Sequence, residues 1–354
     1  MKETHAYLVP RYFRDFACKM GGCRHACCVG WPVTVSMQNY FTLLGLPCRK
    51  ELRDRLDVGL RVLDHPTEEE YARFSPNWLG DCPMRMEDGR CSIHAELGED
   101  VLSDVCRLYP RGVRTFCGEL ECSLSNSCEG VVEILLRECE PMTWSRESLP
   151  LTPPPYPGSP SANGGYPVTW DARLALLRIL QNRTRPIPER ILDLRAALGL
   201  SDLPGNPALT EGVDAACRLL RFFADRSDSI RDEARDCLAR YEDNADRYAG
   251  DCRLFAERFP DEAVHFEQLL VNHAFFSQFP YEGIPLADEW RGLAAVWGLL
   301  RILCVGCRAD VSENGTEALA DTAAAAFRLI AHTRFTAQAA RLLDDAGARR
   351  LLAL

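Results

Sequence analysis

Four thiols, Cys18, Cys23, Cys27 and Cys28, fall within eleven residues in the string CKMGGCRHACCVGW. Gly21, Gly22 and Gly30 lie among them, and apolar residues are sparse. A hydrophobic core has no use for this pattern. A soft metal does, because thiolates must converge on one point from a backbone that bends sharply, and glycine permits the bends. Cys82 and Cys91 follow in CPMRMEDGRCSIH, Cys106 in VCRLYPR, then Cys117, Cys122 and Cys128. Twelve of the 17 cysteines precede residue 140. Thiolate ligands suit zinc or an iron–sulfur cluster. The first group reads C-x4-C-x3-C-C, which is not a zinc knuckle. Cys23 and Cys27 fit the first step of the radical C-x3-C-x2-C signature, but Gly30 stands where its third cysteine would be.

The bulk numbers set the frame. The chain has 354 residues, 47% hydrophobic and 26% charged, enough for two domains. A net charge of −10 argues against a general nucleic-acid binder. No apolar run approaches the ~18 residues of a membrane span, and MKETHAYLVPRYF lacks a secretory apolar region. The expectation is a cytoplasmic protein with reduced thiols, no membrane partner and no nucleic-acid partner.

The elements that would carry the cysteines are irregular. Residues 7–17 read as a strand or loop, and PVTVSM after Trp31 as a strand. Met37 to Leu63 has helical spacing interrupted by Pro47. The Asp88-Gly89 pair predicts a small hairpin. Glu96 to Tyr109 reads as one helix, Thr115 to Leu124 as a strand, and Asn126 to Cys139 as helical. Residues 141–168, with PLTPPPYPGSPSANGGYP, read as a linker or lid loop. From 169 to 354 apolar residues recur at i, i+3 and i+4, broken at Pro204-Gly205, Gly250, Pro260, Pro280 and Gly315. That predicts six to eight helices. The fold class expected is α-rich, α+β: an irregular cysteine-rich metal-binding domain over 1–140, then an all-α helical domain over 169–354.

The strings CKMGGCRHACCVGW, NWLGDCPM, GRCSIH, LSDVCRLYPR and SLSNSC together resemble the flagellin lysine-N-methylase (FliB) family. Their front part is also similar to the CxxCxxCC group of putative zinc- or iron-chelating domains. LLVNHAFFSQFPY, from Leu269 to Tyr281, resembles that family's helical second half. The resemblance implies methyl transfer from S-adenosylmethionine to lysine amines of flagellin, in a protein with a cysteine-held metal centre. A 4Fe-4S cluster is the leading form and zinc the alternative. It carries over to Cys18, Cys23, Cys27, Cys28, Cys82, Cys91, Cys106 and Cys128 as metal ligands.

Lysine methylation needs a neutral amine, and free lysine titrates near 10.4, so desolvation and a proton acceptor are required. Tyr281, Asn272 and Tyr109 are the catalytic candidates, with Arg111 and His273 for the cofactor. Phe275, Phe276 and Phe279 read as core, and His273 has a structural reading too. Arg107 and Arg111 equally suit offsetting thiolate charge. Glu68 to Glu70 read as a solvated face, and Cys304 and Cys307 as buried thiols. A non-catalytic zinc or iron module and an iron–sulfur oxidoreductase remain the rival functions. No glycine-rich strand–turn–helix of the dinucleotide type is present.

Overall fold

The computed structural model describes residues 3–29, 33–78, 80–154, 165–308 and 315–354. Gly30, Trp31 and much of the proline-rich stretch therefore lie outside the described residues. Seven strands are described: β1 (His5–Pro10), β2 (Val33–Val35), β3 (Leu60–Val62), β4 (Ala72–Phe74), β5 (Arg111–Phe116), β6 (Glu119–Leu124) and β7 (Trp144–Leu149). Helices dominate the rest, so the chain is α-rich with small sheets, as expected.

The chain divides into two compact units, but not at 141–168. One unit joins Met1–Phe16 to Arg111–Leu354, and the other is Ala17–Pro110. The cysteine-rich unit is thus an insertion after the first strand and its 3-10 turn.

The larger unit holds a four-stranded sheet in the order β5-β6-β1-β7. β1 runs parallel to β6 and antiparallel to β7, with Tyr7 opposite Leu120 and Glu147. The strand β7 lies inside the stretch read as a linker; its alternation in WSRESL was masked by the prolines that follow. β5 and β6 pair across the two-residue turn Cys117-Gly118, both at positive φ (51° and 79°). That turn splits the single strand expected over 115–124, because a cysteine in the left-handed region gives no turn signal.

Ten helices are described between Trp170 and Leu351, more than the six to eight expected. One cause is Asp243 at φ 57°, which separates Arg231–Tyr241 from Ala245–Arg258. Their centre is Leu286–Arg308, flanked by Arg231–Tyr241, Gly315–His332, Phe335–Leu342 and Asp345–Leu351. By length and composition its Leu286–Cys307 stretch could cross a membrane, yet 83% of that apolar window is buried inside the protein. The interspersed Asp288, Glu289, Arg291 and Arg301 hide it from a search for unbroken apolar runs. Sheet and helices share one core: Tyr7, Val9 and Leu124 cluster with Leu176, Phe275 and Trp290.

An ion pair crosses that core. Arg173 is fully buried; its Nη1 donates to Glu121 Oε2 at 2.7 Å and its Nη2 to the Phe275 carbonyl at 2.5 Å. The rings of Phe116, Trp170 and Phe275 lie 4.6, 5.1 and 4.8 Å from the guanidinium carbon.

The smaller unit has a three-stranded antiparallel sheet, β2-β4-β3. Met37–Gly45 and Lys50–Gly59 are the two helices expected on either side of Pro47. The first is capped by Ser36, whose hydroxyl accepts from the Asn39 amide. The helix expected over 96–109 is instead Ser92–Leu97, a 3-10 turn and Asp104–Leu108. Gly98, at φ 86°, ends the first piece.

Removing one partner of the Arg173–Glu121 pair leaves the other buried and uncompensated. Arg173→Met is expected to cost about 3–5 kcal/mol, read as a lower urea midpoint with an unchanged slope.

Candidate functional site

Seven of the eight predicted ligands lie in the smaller unit and line one cavity of about 410 Å³: Cys18, Cys23, Cys27, Cys28, Cys82, Cys91 and Cys106. Two backbone features assemble it. The Cys82 amide donates to the Cys28 carbonyl at 2.8 Å, and Val29 bridges Asp81, so the first cysteine loop is stitched to the second segment. Residues 82–91 then fold back through a tight turn, with Arg85 bridging Cys91 and the Gly89 amide bonded to the Met86 carbonyl at 2.9 Å. This is the hairpin that Asp88-Gly89 predicted. Gly21 and Gly89 meet backbone to backbone: a Cβ on Gly21 would lie 2.7 Å from the Gly89 carbonyl carbon, and one on Gly89 would lie 2.6 Å from the Gly21 oxygen. Both have positive φ. Glycine is required at each.

The thiols are electrostatically linked. The Cys27 thiol donates to its neighbour Cys28, which pushes Cys27 up and Cys28 down. Arg85, held by Asp81 at 2.8 Å, adds to the lowering of Cys28. Burial raises Cys82 to about 12 and Cys106 to about 11. Part of Cys106 reaches solvent, but its thiol lines the cavity. Arg85 thus acts on Cys28, and Arg111 acts on a thiol of the larger unit, Cys122, which it pulls down against the effect of burial. Arg107 instead bonds Asp104 at 2.8 Å.

Zinc at ~2.3 Å from each of four sulfurs sets them about 3.8 Å apart. Among the described residues no three of these thiols lie within 4.8 Å of one another. The donor set is of the chemical type that soft metals take. The eighth, Cys128, is carried by the other unit. It belongs to the larger unit, at the N-terminus of helix Glu129–Leu135, and packs against the apolar core. It followed the other cysteines in sequence, but the chain leaves the inserted unit at Pro110. Cys304 is buried as read, while half-buried Cys307 lies 4.0 Å from Cys237, sulfur to sulfur.

The other candidates divide between the units. Tyr109 lines the cysteine cavity. Arg111 begins β5 in the larger unit, 5.5 Å from the Phe16 ring. Asn272 is fully buried: it accepts from the Tyr12 hydroxyl at 2.5 Å and donates to the Leu124 carbonyl (2.8 Å) and Asn126 Oδ1 (2.5 Å). That network ties helix Glu262–Phe276 to β6 and leaves no group for catalysis. Tyr281 is also buried, its hydroxyl donating to the Pro167 carbonyl at 2.5 Å beside Phe116. Burial pushes this phenol up, away from a proton-accepting role.

His273 lines a second cavity, of about 570 Å³, wholly within the larger unit. Burial lowers its imidazole to about 4, so it is neutral at physiological pH. The sequence reading missed the other polar groups here. Arg114 projects from β5 and stacks on Phe276, 4.1 Å from guanidinium carbon to ring centre. Its Nη1 is buried without a protein partner. Gly112 makes room for the stack, since a Cβ there would sit 2.6 Å from Phe276 Cε2. Desolvation of its carboxyl group raises Glu282, against the pull of Ser277, Thr336 and Arg114, although the residue as a whole is exposed. Buried Glu289, pushed up to about 9 by burial and then by Glu282, accepts from the Glu282 amide at 2.7 Å and fixes that turn. Period-two spacing in RGVRTF, which sets Gly112, Arg114 and Phe116 on one strand face, was the available signal.

Residues 198–354 match the FliB lysine N-methylase C-terminal domain. Over those residues the chain is similar to the FliB family. The lysine-N-methylases of Salmonella choleraesuis (strain SC-B67) and Salmonella typhimurium (strain LT2) are each 28% identical to it over 143 residues, 40% of this chain. The match spans about a third of their length, 35%. The flagellar biosynthetic protein FliU of Salmonella muenchen is 28% identical over 149 residues, covering 40% of this chain and 86% of that protein. No solved structure matches. The FliB match leaves the cysteine segments outside it.

Widening the Gly21–Gly89 contact should open the cysteine cavity without touching a sulfur. Gly21→Val is expected to lower bound metal per chain severalfold, by elemental analysis, while far-ultraviolet circular dichroism keeps its helical signal.

Proposed function

We propose that this protein is an S-adenosylmethionine-dependent protein-lysine N-methyltransferase acting on flagellin or a flagellin-like protein in the cytoplasm, with a cysteine-held metal centre. The observation that carries the reading is the match of the helical residues 198–354 to the FliB lysine N-methylase C-terminal domain. The printed names of the Salmonella relatives, lysine-N-methylase and flagellar biosynthetic protein, point to the substrate class.

In this reading the seven thiols of the inserted unit hold the metal, an iron–sulfur cluster in preference to zinc. When bound, such a cluster supplies thiolate-ligated iron that can also exchange electrons. The chain's own arrangement supports an architectural role. The ligands come from three distant segments, 18–28, 82–91 and 106, so ligation closes long loops and contributes folding energy.

Methyl transfer is then polar. The lysine amine must lose its proton and water before its lone pair attacks the sulfonium methyl, with S-adenosylhomocysteine leaving. Tyr281 acts by position: its bond to the Pro167 carbonyl holds the segment entering helix Trp170–Leu180. Asn272 likewise fixes the helix that presents His273.

Anaerobically purified protein is expected to contain iron and to methylate flagellin lysines with S-adenosylmethionine, read by peptide mass spectrometry. Cys28→Ser should lose metal and turnover together. Absence of transfer by metal-loaded protein overturns the methylase reading. A strict need for a strong reductant, with 5′-deoxyadenosine released, overturns the polar mechanism. Colourless protein with stoichiometric zinc overturns the cluster.

A further inference from the structure

The 570 Å³ cavity of the larger unit is lined by three arginines, Arg114, Arg334 and Arg341, against a single carboxyl group, that of Glu282. Neutral His273 adds no charge to either side. Arg334 and Arg341 are exposed, whereas Arg114 reaches the wall from β5. Phe276, Ile284 and Ile330 supply apolar wall. An excess of positive charge disfavours a cationic occupant. The cavity therefore suits neither the lysine side chain nor the sulfonium donor of the proposed reaction. It suits an anion.

Arg114 narrows the choice of anion. Its Nη1 is buried and has no protein partner, so Glu282 does not satisfy it. Such a donor costs free energy until something accepts from it. The stack on Phe276, for which Gly112 leaves room, fixes the direction of the guanidinium. The planar fork is thus preorganised for an oxygen acceptor. One open donor nitrogen matches a carboxylate better than a phosphate, whose additional charge and third oxygen would go unmet beside Glu282. Desolvation raises the Glu282 carboxyl. In its protonated form that group donates to a neighbouring carboxylate instead of repelling it. The volume exceeds what a bare oxyanion fills and falls in the range of sites for small organic ligands, roughly 300–1,000 Å³.

We propose that this cavity binds a small organic carboxylate, its head group accepting from Arg114 Nη1 and its apolar body lying among Phe276, Ile284 and Ile330. Arg334 and Arg341 draw the anion in from the solvent side. The site goes beyond the methyltransferase reading and does not depend on it. It makes Arg114 a binding residue, and it gives Gly112 a purpose, since the glycine leaves space for the Arg114–Phe276 stack.

Equilibrium dialysis of the full-length protein against 2-naphthoate, 2-naphthamide and 2-naphthyl phosphate tests it, because the three share one apolar body and differ in charge. 2-Naphthoate should occupy one site per chain, about tenfold or more tightly than the neutral amide. Arg114→Gln should weaken 2-naphthoate by about tenfold, as loss of a charge-assisted pair does, and leave the amide unchanged. Arg114→Lys should recover part of the loss. If the glutamine variant fails to fold, the exposed wall residue Ala331 decides. Ala331→Glu should weaken 2-naphthoate severalfold, whereas Ala331→Gln, which takes up the same space without charge, should not. A wild type that binds no 2-naphthoate, or binds it no better than the amide, overturns the proposal. So does wild-type affinity in folded Arg114→Gln, or in Ala331→Glu. Tighter, Arg114-dependent binding of 2-naphthyl phosphate overturns the choice of a carboxylate. None of these readouts involves methyl transfer, so the result stands whichever way the flagellin assay falls.

Discussion

The larger unit depends on one buried charge. Arg173 sits at full burial with a carboxylate, a carbonyl and three aromatic rings around it. Desolvating a guanidinium is tolerable only when its partners come from a fixed geometry. Those partners belong to β5, to β6, to the helix Trp170–Leu180 that carries Arg173 itself, and to the helix Glu262–Phe276, three regions far apart in sequence. Glu121 is held in turn by Gln278, whose side-chain amide donates to it at 2.7 Å and to the Thr115 carbonyl at 3.1 Å. The pair therefore ties the sheet to the helices. That is why the sheet belongs with the helical half and the chain divides at 17–110.

The inserted unit has a different source of order. Its apolar cluster is small, eleven buried side chains around Leu56, Phe74 and Met84. Two glycines in direct backbone contact and a handful of loop hydrogen bonds hold its cysteine segments together. Small cores of this kind commonly lean on metals or disulfides. Seven thiols facing one cavity in a chain read as keeping its cysteines reduced make a metal the natural counterpart.

Local patterns were legible in the sequence and long-range pairings were not. Cysteine clustering pointed to the residues that line the thiol cavity, because so many thiols among so few apolar residues have no use in a hydrophobic core. The Asp88-Gly89 turn, the Ser36 cap and the helices around Pro47 are encoded within a few residues of themselves. That Cys128 is carried by the larger unit could not be read from its separation from Cys106, which says nothing about Pro110, where the chain re-enters that unit. The strand β7 was missed because its pairing with β1 joins residues about 140 positions apart. Arg114 and Glu282 gave no motif at all. They meet only because β5 and the turn after helix Glu262–Phe276 flank one cavity.

The segment NHAFFSQFPY shows the limit most clearly, since core and cavity readings both hold on one helix. Asn272 and Phe275 turn inward, the first into the Tyr12–Asn126 network and the second against Arg173 and Trp144. His273, Phe276 and Ser277 face the cavity. Residues one apart on a helix point about 100° away from each other, so a polar residue beside an aromatic one can serve either face. Composition cannot choose between them; the neighbours across the packing do. Asn272 meets carbonyl and amide oxygens that consume its donors, and it becomes structural. His273 meets Phe327 at 5.5 Å and open volume, and stays neutral at the wall of a site. The helix thus fixes the sheet with one face and shapes a cavity with the next, so the cavity's geometry inherits the rigidity of the Asn272 network behind it.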